Sequence, residues 1–232
     1  MSTQSKKYVL RRTAAELLLA LTMILPVAHA SGSAEGYSAG CQMCCGCVTG
    51  LSTMGYLYGG STFQLAPPAF MRLWKPGVNF GFGMGTPVIR LVEIWFDAGA
   101  EYYAPDLAAT LRELELENRS IEMSGGGIWY MHGLAMLKAN IWRRAWKVFP
   151  YVLGGCGYTG FIILDMTLRQ GNWEKTYEGG INRGPTILGG AGAEYAFSGR
   201  TRTFLEGTYR VSYFGGETDR VIPIKLGVRI SL

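Results

Sequence analysis

Val221-Ile222-Pro223-Ile224-Lys225-Leu226-Gly227-Val228-Arg229-Ile230-Ser231-Leu232 alternates without a miss. Ile222, Ile224, Leu226, Val228, Ile230 and Leu232 share one face, while Lys225, Arg229 and Ser231 share the other. A period of two is the mark of a β-strand with one apolar and one polar face. In a soluble sheet the apolar face turns inward; in a transmembrane barrel it is the lipid face. Which face is inside decides the fold, and the residues upstream bear on it.

Reading backward, Arg202 to Phe214 sets Leu205, Tyr209, Val211 and Tyr213 against Glu206, Thr208, Arg210 and Ser212. Thr186 to Phe197 sets Ile187, Ala191, Ala193, Tyr195 and Phe197 against Gly190, Gly192, Glu194 and Ala196. Pro150 to Leu164 is a glycine-rich apolar run whose facing the pattern does not assign. Ile121 to Ile141 is long, with Leu137, Ala139 and Ile141 opposing Lys138 and Asn140 beyond a weak point at Gly125-Gly126-Gly127. Leu91 to Tyr103 places Val92, Ile94, Phe96, Ala98, Ala100 and Tyr102 opposite Glu93, Asp97, Gly99 and Glu101. Before it, Val78, Phe80, Phe82 and Met84 oppose Asn79, Gly81, Gly83 and Gly85. Glycine and charge therefore recur on the face opposite the bulky apolar residues. A narrow barrel fills its interior with small and charged groups while apolar residues meet lipid, which turns the apolar face outward.

Connection lengths point the same way, because transmembrane barrels have short periplasmic turns and longer outer loops. Thr86-Pro87-Val88, Trp142 to Val148, and Ser198-Gly199-Arg200-Thr201 are short. Ala104 to Ser120 and Asp165 to Pro185 are long and polar, with Gly215 to Arg220 a shorter outer connection. Seven strands follow Leu73, and an even count requires one more, expected within Val48 to Gln64. Leu111 to Leu116 and Ile121 to Ser124 are expected to form an outer hairpin extending two strands beyond the bilayer. Trp142 and Trp146 beside Arg143, Arg144 and Lys147 read as an interface belt.

Residues 1–30 read as a secretory signal peptide: Lys6, Lys7, Arg11 and Arg12 form a basic head, Leu17 to Val27 an apolar stretch, and Ala28-His29-Ala30 a small-x-small cleavage site. The apolar run, with Glu16 before it and Pro26 within it, is too short for a membrane helix. Thr13-Ala14-Ala15 after the arginine pair lacks the apolar continuation of twin-arginine export, so Sec export is expected. Most of the formal charge of +5 sits in that basic head, leaving the remainder without the electrostatic footprint of nucleic-acid binding.

At this point the residues resemble a known family, the small outer-membrane β-barrels of the OmpA, OmpX and OmpW type. Phe149-Pro150-Tyr151-Val152-Leu153-Gly154-Gly155-Cys156-Gly157-Tyr158 is similar to that family's "PY, small-Gly-x-Gly" strand, and Gly189-Gly190-Ala191-Gly192-Ala193-Glu194-Tyr195 is similar to its next strand. The terminal stretch resembles the assembly signal read by the barrel-insertion machinery, through Lys225, Gly227, Ile230 and Leu232. Leu232 stands where an aromatic residue is usual. The resemblance implies fold and compartment and is silent on cargo.

The expected architecture is an all-β, antiparallel up-and-down transmembrane barrel of about eight strands. Its expected organisation is residues 1–30 as signal peptide, 31–47 as a Cys-rich periplasmic tail and 48–232 as the barrel, with lipid and the insertion machinery as partners and no cofactor. Glu93, Asp97, Glu101, Glu194 and Glu206 are expected to meet Lys138, Arg210, Lys225 and Arg229 inside. Such a set either plugs the lumen, since unpaired interior charges are costly, or lines a path for a small solute. Cys41, Cys44, Cys45 and Cys47 leave disulfides, a zinc site and lipid attachment open; an oxidising periplasm favours disulfides. No Cys-x-x-Cys pair among them is followed directly by a histidine, which excludes a c-type haem motif. His132, with Ser124 eight residues earlier, is the one hint of a lipid-modifying enzyme, and a lone histidine without a recognisable constellation is usually structural. The leading role is structural or surface interaction through loops such as Asp165 to Pro185; a narrow channel for small or apolar solutes is the alternative, and an enzyme is third.

Overall fold

A computed structural model describes residues 53–67, 72–89, 91–113, 121–141 and 147–232. The signal-peptide and tail assignments, the four cysteines Cys41 to Cys47, and the Trp142-to-Trp146 belt lie outside the described residues.

Eight antiparallel strands close into a barrel: β1 (Met54–Ala66), β2 (Gly77–Ile89), β3 (Val92–Tyr103), β5 (Ile128–Asn140), β6 (Val148–Ile163), β9 (Ile181–Ala196), β10 (Thr201–Phe214) and β11 (Glu217–Ser231). Each pairs with its neighbour in the barrel, and β1 closes the ring on β11 through a register that sets Leu57 opposite Val228 and Tyr58 opposite Gly227. The missing eighth strand is thus β1, which begins in the segment expected from the even-number rule and runs two residues past its end at Gln64. Three short strands, β4 (Glu122–Gly125), β7 (Met166–Gln170) and β8 (Trp173–Tyr177), form a separate sheet in the order β4-β7-β8. The helix α1 (Leu107–Glu113) starts where the Asp106 carboxylate accepts a hydrogen bond from the Ala109 amide at 3.1 Å, satisfying one of the free donors of its first turn.

The alternation works as the sequence indicates. On β11, Lys225 and Arg229 are each 5% exposed, whereas Leu226 between them is 64% exposed. The same inward-polar, outward-apolar order holds on β2, where Asn79 is buried and Val78, Phe80, Phe82 and Met84 are exposed. The facing of β6 is now fixed: Tyr151, Leu153 and Thr159 point inward, and Val152, Cys156 and Tyr158 outward.

Connections at one end are short, with 197–200 between β9 and β10; those at the other end include the long segments between β3 and β5 and between β6 and β9. Two expectations about the loop end are corrected. Leu111 to Leu116 does not begin an outer hairpin with Ile121 to Ser124: Leu111 lies in α1, and β4 pairs instead with β7. The physical reason is that Leu107–Glu113 follows an aspartate cap and carries no turn residue. Gly215 to Arg220 is no loop either, because β10 and β11 join through Gly215 and Gly216 alone. Both residues adopt positive φ, 56° and 103°, which suits a two-residue hairpin whose twist matches the strands. Asp165 to Pro185 is largely ordered as the β7–β8 hairpin followed by the start of β9.

Candidate functional site: the barrel lumen

An eight-stranded barrel has an interior just wide enough for side chains to fill, so whatever faces inward must meet across the axis. The sequence supplies charges from several different strands, and the fold brings all nine expected members inside. They assemble in layers along the axis.

Nearest the short-turn end, Glu93 of β3 and Glu194 of β9 meet three cations. Arg229 bridges them, with Nη2 2.9 Å from Glu93 and Nη1 2.7 Å from Glu194. Lys138 donates to Glu194 and lies 3.7 Å from Glu93. Arg202, which the sequence analysis did not single out, donates to the second Glu194 oxygen at 3.0 Å. The indole of Trp95 and the amide of Asn140 donate to Glu93 at 2.8 and 3.1 Å. Lys138 also sits 4.0 Å from the Tyr151 ring centroid, a cation–π contact in a site with little water to compete.

In the middle, Lys225 donates to Asp97 at 2.8 Å and lies 3.8 Å from Glu206. Tyr56 donates to Asp97 at 2.8 Å, and Tyr151 donates to Glu206 at 3.0 Å. Toward the loop end, Arg210 grips Glu101 with both terminal nitrogens, at 2.5 and 2.9 Å, the fork-to-fork geometry that makes arginine–carboxylate pairs strong. Tyr103 donates to the same carboxylate at 3.0 Å. Above this pair the interior turns aromatic: Tyr103, Ile128, Tyr130 and Phe214 form a buried cluster with Phe161 packed against it. Phe161 and Phe214 meet edge to face at 4.8 Å between centroids. The cavity between the first two layers, bounded by Tyr56, Trp95, Tyr151, Phe204 and Arg229 among others, holds about 30 Å³, room for a water molecule.

The outer surface is the converse. Leu57, Phe82, Phe96, Leu137, Ile187, Leu205 and Leu226 are all half or more exposed. Aromatic residues gather at both ends of this band: Trp129 lies 4.9 Å from Tyr102 and 6.3 Å from Phe80 near the loop end, and Tyr195 lies 5.1 Å from Phe197 near the turn end. A polar interior, an apolar outer band and flanking aromatic girdles are the distribution of a transmembrane barrel.

No protein-family model and no curated protein matches the chain. Solved structures do. The Neisserial surface protein A is 12% identical over 78% of this chain and 97% of its own, with a TM-score of 0.44. Ail, the attachment invasion locus protein of Yersinia pestis, is 10% identical over 78% and 99%, also at 0.44. A major outer membrane protein from Thermus thermophilus is 10% identical over 78% and 100%, at 0.46. The functional reading therefore rests on this chain's own geometry.

Sequence reasoning missed the interior aromatics. Tyr56, Tyr58 and Trp95 point inward, and the glycines of β2 make the space they fill: a Cβ on Gly83 would run into the Tyr56 ring and one on Gly85 into the Trp95 ring. The signal was present as the Gly81-Gly83-Gly85 series, which read as small filler rather than as sockets for a neighbour's rings. Missed too were Asp219, which is buried and accepts from Gln64, and the participation of His132 in the charge network. Ser124 and His132 are not brought together: Ser124 is exposed on β4 opposite Thr167, and His132 is buried inside the barrel. On the β7–β8 hairpin, Arg169 pairs with Glu174 at 2.8 Å, and that carboxylate raises the pKa of the guanidinium above its ordinary value.

Proposed function

We propose that this protein is an outer-membrane β-barrel whose lumen is plugged by its own ion pairs and whose role is structural or surface-interacting. In this reading residues 1–30 direct Sec export, residues 31–47 form a periplasmic tail with Cys41, Cys44, Cys45 and Cys47 in disulfides, and the insertion machinery reads the strand containing Lys225, Gly227, Ile230 and Leu232. The short-turn end faces the periplasm and the β4-β7-β8 sheet faces outward, as the usual turn and loop lengths indicate. The observation that carries the plug is the pairing across the barrel of Glu93, Asp97 and Glu101 on β3 with cations on β10 and β11, with Glu194 on β9 held by cations from the next strand but one on either side. Buried pairs of this kind hold one packing because opening any of them strands a charge.

A non-enzymatic role is supported by His132, whose two ring nitrogens are both engaged by buried neighbours and lie apart from Ser124. Single-channel recording in a planar bilayer tests the plug. The expected trace at neutral pH shows no steady current; a steady open level favours the channel reading instead.

A further inference from the structure

The central ion pairs of the lumen converge on one imidazole. His132 projects inward from β5, and its cross-strand partner on β3 is Gly99. That glycine leaves the space the ring occupies, since a Cβ there would lie 2.7 Å from His132 Nε2. The groups facing the ring come from four strands. Tyr58 of β1 has its hydroxyl 3.3 Å from Nε2. On β3, Asp97 lies 3.3 Å from Nε2 and Glu101 3.6 Å from Nδ1. Arg210 of β10 has Nη1 3.2 Å from Nδ1, and Lys225 of β11 stands behind Asp97 at 2.8 Å. The partner on β6 is Thr159, which carries no charge.

A guanidinium has donors only, so Nδ1 must be the acceptor and the ring proton must sit on Nε2, toward Asp97. His132 is therefore neutral in the closed plug. We propose that His132 is a proton switch for the lumen, a reading that rests on the plugged barrel. The Nδ1 lone pair takes up one proton from the aqueous buffer, and no other covalent bond changes. Nδ1 then donates where it had accepted: its bond from Arg210 is lost, and two cations face each other. Glu101 Oε1, already 3.6 Å away, is drawn toward the imidazolium and gives up one arm of its fork to Arg210. Acid thereby moves one carboxylate oxygen of Glu101 from the arginine to the histidine and leaves Arg210 held through its other arm alone, on the loop side of the Lys225–Asp97 pair.

The chain has two histidines, so in protein carrying His29→Gln the imidazole signals belong to His132 alone. ¹⁵N NMR of that protein in lipid nanodiscs reads the tautomer directly. At about pH 8 the expected spectrum has Nδ1 bare and Nε2 protonated; on acidification both become protonated and the Arg210 side-chain signals shift with the same midpoint. A proton on Nδ1 at the higher pH, or Arg210 signals that stay still while the ring titrates, overturns the switch. So does a ring that does not titrate at all. His132→Gln keeps an acceptor for Arg210 and a donor for Asp97 without a titratable nitrogen; there the Arg210 shift should vanish, and its persistence would assign the response to the carboxylates instead. A steady current at about pH 8 would sink the plug and leave the tautomer result standing. A closed lumen with a silent His132 would sink the switch alone.

Discussion

The glycines of the two barrel faces look alike in sequence and do opposite work. Gly83, Gly85 and Gly99 face inward, where an added Cβ would strike Tyr56, Trp95 and His132. Gly133 and Gly207 face outward, where an added Cβ would meet nothing within 4 Å. The inward face is lined by closely packed polar and aromatic groups, with one cavity of about 30 Å³ among them; the outer face is a solvent-facing surface whose solvent is lipid. Close packing and charge pairing constrain the first. Only apolarity constrains the second.

Substitutions break this contrast in a definite order. Arg210→Ala leaves Glu101 buried without its cation and should cost about 3–5 kcal/mol in denaturant unfolding from lipid vesicles, while replacing both partners with apolar residues should recover much of the loss. Leu226→Arg puts a charge on the outward face near the middle of β11 and should cost about 2–4 kcal/mol, falling toward zero for the same change at the strand ends. Gly83→Ala should cost about 1–3 kcal/mol through overpacking against Tyr56, and Gly133→Ala nothing. Equal costs for the two alanines would erase the distinction between the faces. Arg169→Ala, in an exposed pair on the β7–β8 hairpin, should leave the unfolding midpoint where it was.

The alternation of β11, β10 and β2 was legible because each has one apolar face and one polar face, and a period of two survives any tertiary context. The nine lumen charges were legible for the same reason: a charge on the face opposite Leu or Phe has only one place to go in a narrow barrel. Their partners were not. Asp97 and Lys225 are 128 residues apart, and which cation reaches which carboxylate depends on strand tilt and register that spacing does not encode. β6 resisted assignment because both of its faces carry glycine, so the pattern has no amplitude; Tyr151 and Thr159 turn inward only because β5 and β9 fix the register. The loop end was read least well, since α1 and the β4-β7 pairing follow from local capping and from contacts between segments far apart in sequence.

The central claim is that the polar face is the inside. Thr208 and Tyr209 are adjacent on β10, one 4% exposed and the other 44%. Nitroxide labels placed by Thr208→Cys and by Tyr209→Cys, each in protein whose native cysteines are replaced by alanine, measure the two faces in lipid vesicles through relaxation by oxygen and by a water-soluble nickel complex. The account predicts a mobile, oxygen-accessible label at 209 and an immobilised label shielded from oxygen at 208. A label at 208 that oxygen in lipid reaches as readily as the one at 209, or the reverse order, would contradict it.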